Sequence, residues 1–184
     1  MSKMFSWMNP KLEVKKNGKF GKGIFANKDI KKEEILFVMG GYILTVEDDN
    51  ELGGILADKA IEVSDCYFIG PRKPSDLDLM PQHYVNHSCN PNAGFKGQIS
   101  LVAMRKIPGG GEVTYDYGMV MYPKNSGTAY FGMKCFCGTK KCRDYITEDD
   151  WKIPELQKKY DGYFSWYLQE KINKAKGRNG NGRK

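Results

Sequence analysis

Five cysteines stand in the 184-residue chain: Cys66, Cys89, Cys135, Cys137 and Cys142. The last three form Cys135-Phe-Cys137-Gly-Thr-Lys-Lys-Cys142, a C-x-C-x4-C string. Thiolates this close repel one another unless a cation or a disulfide relieves them. Zn2+ suits such a set, held tetrahedrally by four ligands in a closed structural site. Three cysteines supply three ligands, so the fourth comes from elsewhere. Cys89 sits in the polar, turn-like Asn86-His87-Ser88-Cys89-Asn90-Pro91-Asn92 and is the better candidate. Cys66 lies in an apolar run and reads as a small buried hydrophobe. The alternative is a group of reduced thiols that are neighbours by coincidence, because C-x-C is less specific than paired C-x-x-C.

Two more strings stand out, Gly21-Lys22-Gly23 after a turn and Gly111-Glu112-Val113-Thr114-Tyr115-Asp116-Tyr117-Gly118. G-x-G alone is a weak signal. N-H-S-C-x-P-N, then G-E-x-T-Y-D-Y, then C-x-C-x4-C is a specific order. It resembles the SET-domain protein-lysine N-methyltransferases that carry a post-SET zinc motif, over about residues 17–146.

The resemblance implies a mostly β fold of several small curved sheets. In it the N-H-S-C segment threads beside the D-Y segment as a pseudoknot, against the usual rule for chain connections. A post-SET zinc knuckle and a C-terminal helical segment follow. It implies S-adenosyl-L-methionine as methyl donor and one structural Zn2+ on Cys89, Cys135, Cys137 and Cys142. Donor and lysine would enter from opposite faces of a narrow channel. The implied cofactor contacts are Lys22 and Gly23, the Asn86 side chain on the donor's amino-acid end, the His87 main chain on the adenine, Tyr117, and Phe136 as a cover for the adenine. The implied catalytic residue is Tyr117, whose hydroxyl orients the amine. Tyr115 matches the position that sets how many methyl groups are added, and a tyrosine there leans the product to monomethyl-lysine. The amine must be neutral to attack, and an apolar channel favours loss of its charge.

The chain also departs from the family pattern. Where many members have E-Y-x-G-E, it has Phe37-Val38-Met39-Gly40-Gly41, which leaves Tyr42 and Tyr67 as stand-ins for the channel aromatic. The post-SET string continues Cys142-Arg143-Asp144 instead of C-R-G. No cysteine-rich segment precedes the domain, so the N-terminal strand is expected to be held by packing, with the C-terminal helix as a candidate partner.

These residues need elements to position them. Gly23-Ile24-Phe25-Ala26, Ile35-Leu36-Phe37-Val38-Met39, Glu62 to Ile69, Ile99 to Met104 and Glu112-Val113-Thr114-Tyr115 read as strands between turn signals. Residues 46–60 form an acidic segment that reads as a short helix broken at Gly53-Gly54. Near the end, Thr147 reads as an N-cap with acids after it. Leu156, Tyr160, Phe164, Tyr167, Leu168 and Ile172 then recur at helical spacing, with Pro154 and Gly162 splitting the region. The expected layout is an N-terminal extension at 1–16, the SET domain at 17–118 with a variable insert at about 46–80, a connector and zinc motif at 119–146, helices at 147–173, and a disordered basic tail at 174–184.

Composition bounds the rest. With 40% hydrophobic, 28% charged and 12% aromatic residues, the chain is a folded domain, with or without an appendage. No run approaches the roughly 18 apolar residues of a membrane span. The N-terminus has no apolar h-region, which points to an intracellular protein of nucleus, chromatin or cytoplasm. The net charge of +7 suggests an acidic partner. By segment, however, residues 47–78 carry nine acidic and three basic side chains, and 174–184 carry five basic and no acidic ones. The local excess of six negative charges would attract a lysine-rich substrate such as a histone tail. The basic tail is an accessory nucleic-acid contact or a solvated end. Two other readings remain: a catalytically silent SET-like module that binds basic peptides or nucleic acid, and a methyltransferase for a non-histone protein.

Overall fold

The computed structural model describes residues 4–18, 21–52, 56, 59–121 and 132–177. Most of the expected connector, and the tail from 178 on, lie outside the described residues. Among the described residues, thirteen strands form four small sheets. The first joins β1 (Trp7–Met8), β4 (Ile35–Val38), β10 (Ser100–Ala103) and β9 (Ala93–Lys96) in the order β1-β4-β10-β9. The second joins β2 (Leu12–Asn17), β3 (Gly21–Ala26), β11 (Glu112–Tyr115) and β8 (Asn86–His87) in the order β2-β3-β11-β8. The insert forms a third sheet from β5 (Tyr42–Thr45), β7 (Tyr67–Gly70) and β6 (Ile61–Glu62), and β12 (Gly132–Lys134) with β13 (Tyr145–Thr147) makes the fourth. The N-terminal strand is held by pairing, Trp7 opposite Val38 and Met8 opposite Phe37.

One ladder decides the site. β8 runs parallel to β11, with Asn86 opposite Thr114 and His87 opposite Tyr115, while the other named ladders are antiparallel. Asn92 extends the junction: its Nδ2 donates to the Glu112 carbonyl at 2.8 Å, and its Oδ1 accepts the Thr114 N–H at 3.0 Å. The two strings thus lie side by side, as a pseudoknot requires.

The core is apolar and continuous. Ile24, Leu36, Phe37, Phe95, Leu101, Ile107 and Val113 pack together with Tyr160, Phe164, Leu168 and Ile172 from the C-terminal segment. Gly94 explains how that segment gets so close. A Cβ there would lie 2.8 Å from Tyr163 Cβ and 2.9 Å from Met104 Sδ, so a side chain would push the C-terminal segment off the sheet.

The structure corrects several local expectations. Thr147 ends β13 and does not cap the helix. Its hydroxyl donates to Asp150 Oδ1 at 2.9 Å and accepts the Asp149 N–H at 3.2 Å, ahead of a 3-10 turn at Asp150–Lys152. The helices are α2 (Pro154–Lys159) and α3 (Trp166–Ala175), after the earlier α1 (Val46–Leu52) in the insert. Pro154 opens α2 and Gly162, at φ +75°, lies between α2 and α3, so both breaks fall where the sequence places them. Ser165 caps α3 by accepting the Leu168 N–H, and α3 runs to Ala175, past the expected boundary at 173. The single strand expected over Glu62 to Ile69 is a hairpin, β6 and β7. Ser64 Oγ turns the chain by accepting the N–H groups of Cys66 and Tyr67 at 3.2 and 3.1 Å. That turn puts Cys66 in solvent rather than in the core. Among the described residues, no helix is long and apolar enough to cross a membrane.

Candidate active site and metal centre

The parallel ladder sets Asn86 beside the end of β11. Asn86 Nδ2 donates to the Lys22 carbonyl at 3.1 Å and to Glu112 Oε1 at 2.7 Å. Both amide hydrogens are therefore spent inside the protein, which leaves the carbonyl oxygen as the acceptor at the cavity. Gly23 is small for the same reason. A Cβ there would meet Glu112 Oε1 at 2.7 Å and Asn86 Nδ2 at 3.0 Å, so this glycine seats the asparagine.

Beside them is a cavity of about 500 Å3, lined by Gly21, Lys22, Lys59, His83, Tyr84, Asn86 and Tyr117 among others. Lys22 Nζ donates to Tyr84 Oη at 3.2 Å and stands 4.7 Å from the centre of that ring. Pro74, Leu77 and Asp78 add a wall from the insert. Of the expected site residues, Lys22, Asn86 and Tyr117 border this cavity. Gly23 and His87 stand behind it. Phe136 is 53% exposed on the cysteine knuckle, against Lys134, and does not line it. Neither stand-in for the missing channel aromatic borders it either: Tyr42 packs on Phe5 and Arg72, and Tyr67 is exposed. His83 and Tyr84 carry no motif of their own, and an aromatic pair one residue ahead of N-H-S-C was the available signal.

Tyr115 and Tyr117 are neighbours, with ring centres 5.2 Å apart. Phe95 closes one side of Tyr115 at 5.6 Å, and His87 closes one side of Tyr117 at 5.2 Å. Tyr117 Oη donates to the Val85 carbonyl at 3.4 Å. Burial pushes the Tyr117 hydroxyl up to about 12 and raises Tyr115 further, with Tyr117 and Glu62 next in effect. Both phenols stay protonated across the physiological range, so they can donate hydrogen bonds but cannot act as bases there.

The four cysteines singled out by spacing come together. Their Sγ atoms all lie within 4.8 Å of one another, and Cys89 and Cys135 are 3.8 Å apart. Four sulfurs about 2.3 Å from one tetrahedral ion would stand about 3.8 Å apart, so the donor set fits zinc in number, type and spacing. Backbone N–H groups already face the sulfurs: Arg143 donates to Cys89 Sγ and Asp144 to Cys142 Sγ, each at 3.4 Å. Burial raises the Cys89 thiol to about 11 and also raises Cys135. Burial works against Cys137 as well, but Thr139 and the neighbouring groups outweigh it and hold that thiol near 6. A divalent cation would relieve this conflict by favouring thiolate at all four positions.

Between the cysteines and the tyrosines lies a buried polar network. Asp116 is fully buried. Arg143 grips it with Nη1 on Oδ2 at 2.6 Å and Nη2 on Oδ1 at 2.8 Å, and reaches Asp150 Oδ2 through Nε at 3.0 Å and Nη2 at 2.8 Å. Tyr160 Oη donates to Asp116 Oδ2 at 2.9 Å, and Lys159 Nζ donates to the Cys89 carbonyl at 2.6 Å. Burial opposes the Arg143 charge, but Asp116 and Asp150 outweigh it and hold the guanidinium protonated. The Tyr117 N–H donates to His87 Nδ1 at 3.2 Å, so the other ring nitrogen carries the hydrogen and points it at Cys89 Sγ, 3.2 Å away. Burial drops His87 to about 4, which keeps the ring neutral for that role.

The insert's negative charge is less available than its count suggests. Asp49, Glu62 and Asp76 are buried, and Asp65 is held by Tyr167 and Lys171 of α3. Among the described residues, Glu47, Glu51 and Asp78 are the insert acids facing solvent without a recorded ion pair.

Comparison with known proteins agrees with this geometry. A histone-lysine N-methyltransferase of Neurospora crassa, named as H3 lysine-9 specific, is 28% identical over 132 residues, covering 63% of this chain and 36% of its own length. One of Debaryomyces hansenii, named as H3 lysine-36 specific, is 29% identical over 134 residues, covering 66% of this chain and 17% of its own. A variant-silencing SET domain-containing protein of Plasmodium falciparum is 28% identical over 148 residues, covering 73% of this chain and 6% of its own. The chain thus spans well under two thirds of these relatives. Residues 21–118, more than half of the chain, match the SET domain, from the glycine that opens β3 to the one that follows Tyr117, and the chain belongs to that family.

Proposed function

We propose that the chain is an S-adenosylmethionine-dependent protein-lysine N-methyltransferase acting on a histone or histone-like basic protein, with monomethyl-lysine as main product. The observation that carries this is the parallel pairing of β8 with β11. It brings the Asn86 amide and the Tyr117 phenol to one cavity that also holds Lys22 and Lys59. When bound, S-adenosylmethionine supplies an electrophilic methyl group. Asn86 Oδ1, the acceptor left after both amide hydrogens are spent, suits the donor's ammonium, and Lys22 or Lys59 suits its carboxylate. The Tyr117 hydroxyl, kept protonated by burial, orients the incoming amine, and the Tyr84 and Tyr117 rings that line the cavity suit a cationic centre. The amine must arrive neutral, and an apolar channel favours loss of its charge. Cys89, Cys135, Cys137 and Cys142 would hold one structural Zn2+ that ties the knuckle to β8. In this reading residues 17–118 are the catalytic domain, 46–80 its insert and 119–146 the connector and knuckle. Their relatives' names support chromatin as the setting.

The test is methyl transfer from labelled S-adenosylmethionine to a panel of histones and other basic proteins. Transfer to a lysine is expected, with loss of about 100-fold or more in kcat for Tyr117→Phe and little change in cofactor affinity. Tyr115→Phe is expected to move the product toward di- and trimethyl-lysine by mass spectrometry. A folded chain that binds the cofactor and transfers to none of the panel would point to a binding module instead, and transfer to non-histone proteins alone would remove the histone assignment.

A further inference from the structure

We propose that Arg143 is a positioning residue for the reaction, tying the catalytic tyrosine to the cysteine centre. This rests on the methyltransferase reading above. Arg143 bridges the two places: its backbone N–H donates to Cys89 Sγ, and its guanidinium is forked on Asp116, next in the chain to Tyr117. Asp116 has no freedom left. Oδ1 accepts from Arg143 and from the Gly118 N–H at 3.1 Å, while Oδ2 accepts from Arg143 and Tyr160. The Gly118 bond makes Asp116 the cap of the 3-10 turn Tyr117–Met119, so the carboxylate that Arg143 grips also sets the backbone on which Tyr117 sits. The tyrosine's other flank is held by His87 Nδ1, and the opposite nitrogen of that ring reaches Cys89. Two ties, one through His87 and one through Arg143 and Asp116, therefore join Tyr117 to the same sulfur.

Geometry explains why arginine is needed. Asp116 and Asp150 are two buried carboxylates that share one guanidinium, and only a planar fork can serve both at once. A lysine at 143 keeps the charge but offers a single nitrogen. One carboxylate then loses its partner, the Asp116 cap loosens, and the Tyr117 hydroxyl leaves its place. A displacement of about 1 Å at a reacting group is enough for a loss of about 100-fold.

The test uses the full chain with its metal. Arg143→Lys is expected to lower kcat by about 10-fold or more. Zinc content and the cofactor dissociation constant, by calorimetry, should stay within about twofold. In a Tyr117→Phe background, single-turnover transfer should fall by less than about twofold on adding Arg143→Lys, because the group being positioned is already gone. Amide exchange at Gly118 should quicken in Arg143→Lys while the β3 amides keep their wild-type protection, a readout that needs no activity. The proposal is overturned if kcat is unchanged, or if Arg143→Lys costs the same factor with and without the Tyr117 hydroxyl, which would mark it as merely structural. Should Arg143→Lys not fold, Tyr160→Phe deletes the bond to Asp116, together with the same hydroxyl's bonds to Lys159 and the Cys89 carbonyl. A drop in kcat at constant KM is expected there, and an unchanged kcat overturns the proposal. A wild-type chain that transfers no methyl group defeats the methyltransferase reading, whereas an active wild type with an equally active Arg143→Lys defeats only this inference.

Discussion

The main core and the cysteine knuckle are held by opposite means. The main core gathers Ile24, Phe37, Phe95, Leu101 and Val113 with Tyr160, Phe164, Leu168 and Ile172 from the C-terminal segment, all buried. The knuckle buries Ile146 among sulfurs, with Met133 partly covering it. Fully burying one Ile or Phe contributes about 1.5–3 kcal/mol, so many such residues carry the main core and one cannot carry the knuckle. What stands there instead is polar: four convergent thiols that a metal ion would cross-link, and an arginine forked between two carboxylates. The site lies where the two regimes meet, so its order depends on the weaker of them.

Metal removal should have the largest effect, because structural zinc in small domains contributes an apparent 10–16 kcal/mol, or roughly that scale. A strong chelator is expected to abolish amide protection over residues 132–147 and to end methyl transfer, while the strands of the first two sheets keep their protection. Loss of protection everywhere would break the distinction between the regions. In the main core, Phe37→Ala should cost about 3–5 kcal/mol, read as a lower urea midpoint for the whole chain. Ile146→Ala should cost about 2 kcal/mol in the metal-loaded protein, the low end for such a truncation, because the sulfur cross-links remain. A larger loss would mean that the knuckle relies on packing after all.

The smallest expected effect is a surface one. Lys11 first, then the Lys31 N–H, hold the Glu34 carboxyl at about 2, below its ordinary 4.5. Its folded pKa is depressed, so its contribution is complete above about 4.5 and fades as the pH falls toward 2. The pair is partly exposed, which limits it to under about 1 kcal/mol. Glu34→Gln should therefore lower the urea midpoint slightly at pH 7 and not at pH 2. An equal loss at both would assign the effect to packing.

Much of the site was legible because its chemistry demands particular residue types. Cys89, Cys135, Cys137 and Cys142 were readable from spacing and polarity, and they meet. Strand β11 has the bounds its flanking turn signals suggested, and Tyr160, Phe164, Leu168 and Ile172 are buried as their spacing implied. Other features were hidden by local competition. Ser64 turns a run that reads as one strand, exposing Cys66, and Ser165 takes the helix-capping role that the sequence assigns to Thr147. The resemblance implied Phe136 as a cofactor cover, and its ring is half-exposed beside Lys134, away from the cavity lining.

By itself the sequence determined the family, the four cysteines that converge and the pair of tyrosines, since short strings of reactive residues carry that information without any fold. Only the tertiary structure decided what holds them. Asp116 and Arg143 lie 27 positions apart, and Arg143 and Cys89 lie 54 apart. No periodicity links such residues, because their meeting is set by the parallel β8–β11 ladder and by the C-terminal helices folding back over Gly94. Likewise the charge of the insert was countable in the sequence, but burial of Asp49, Glu62 and Asp76 decides how little of it faces a substrate.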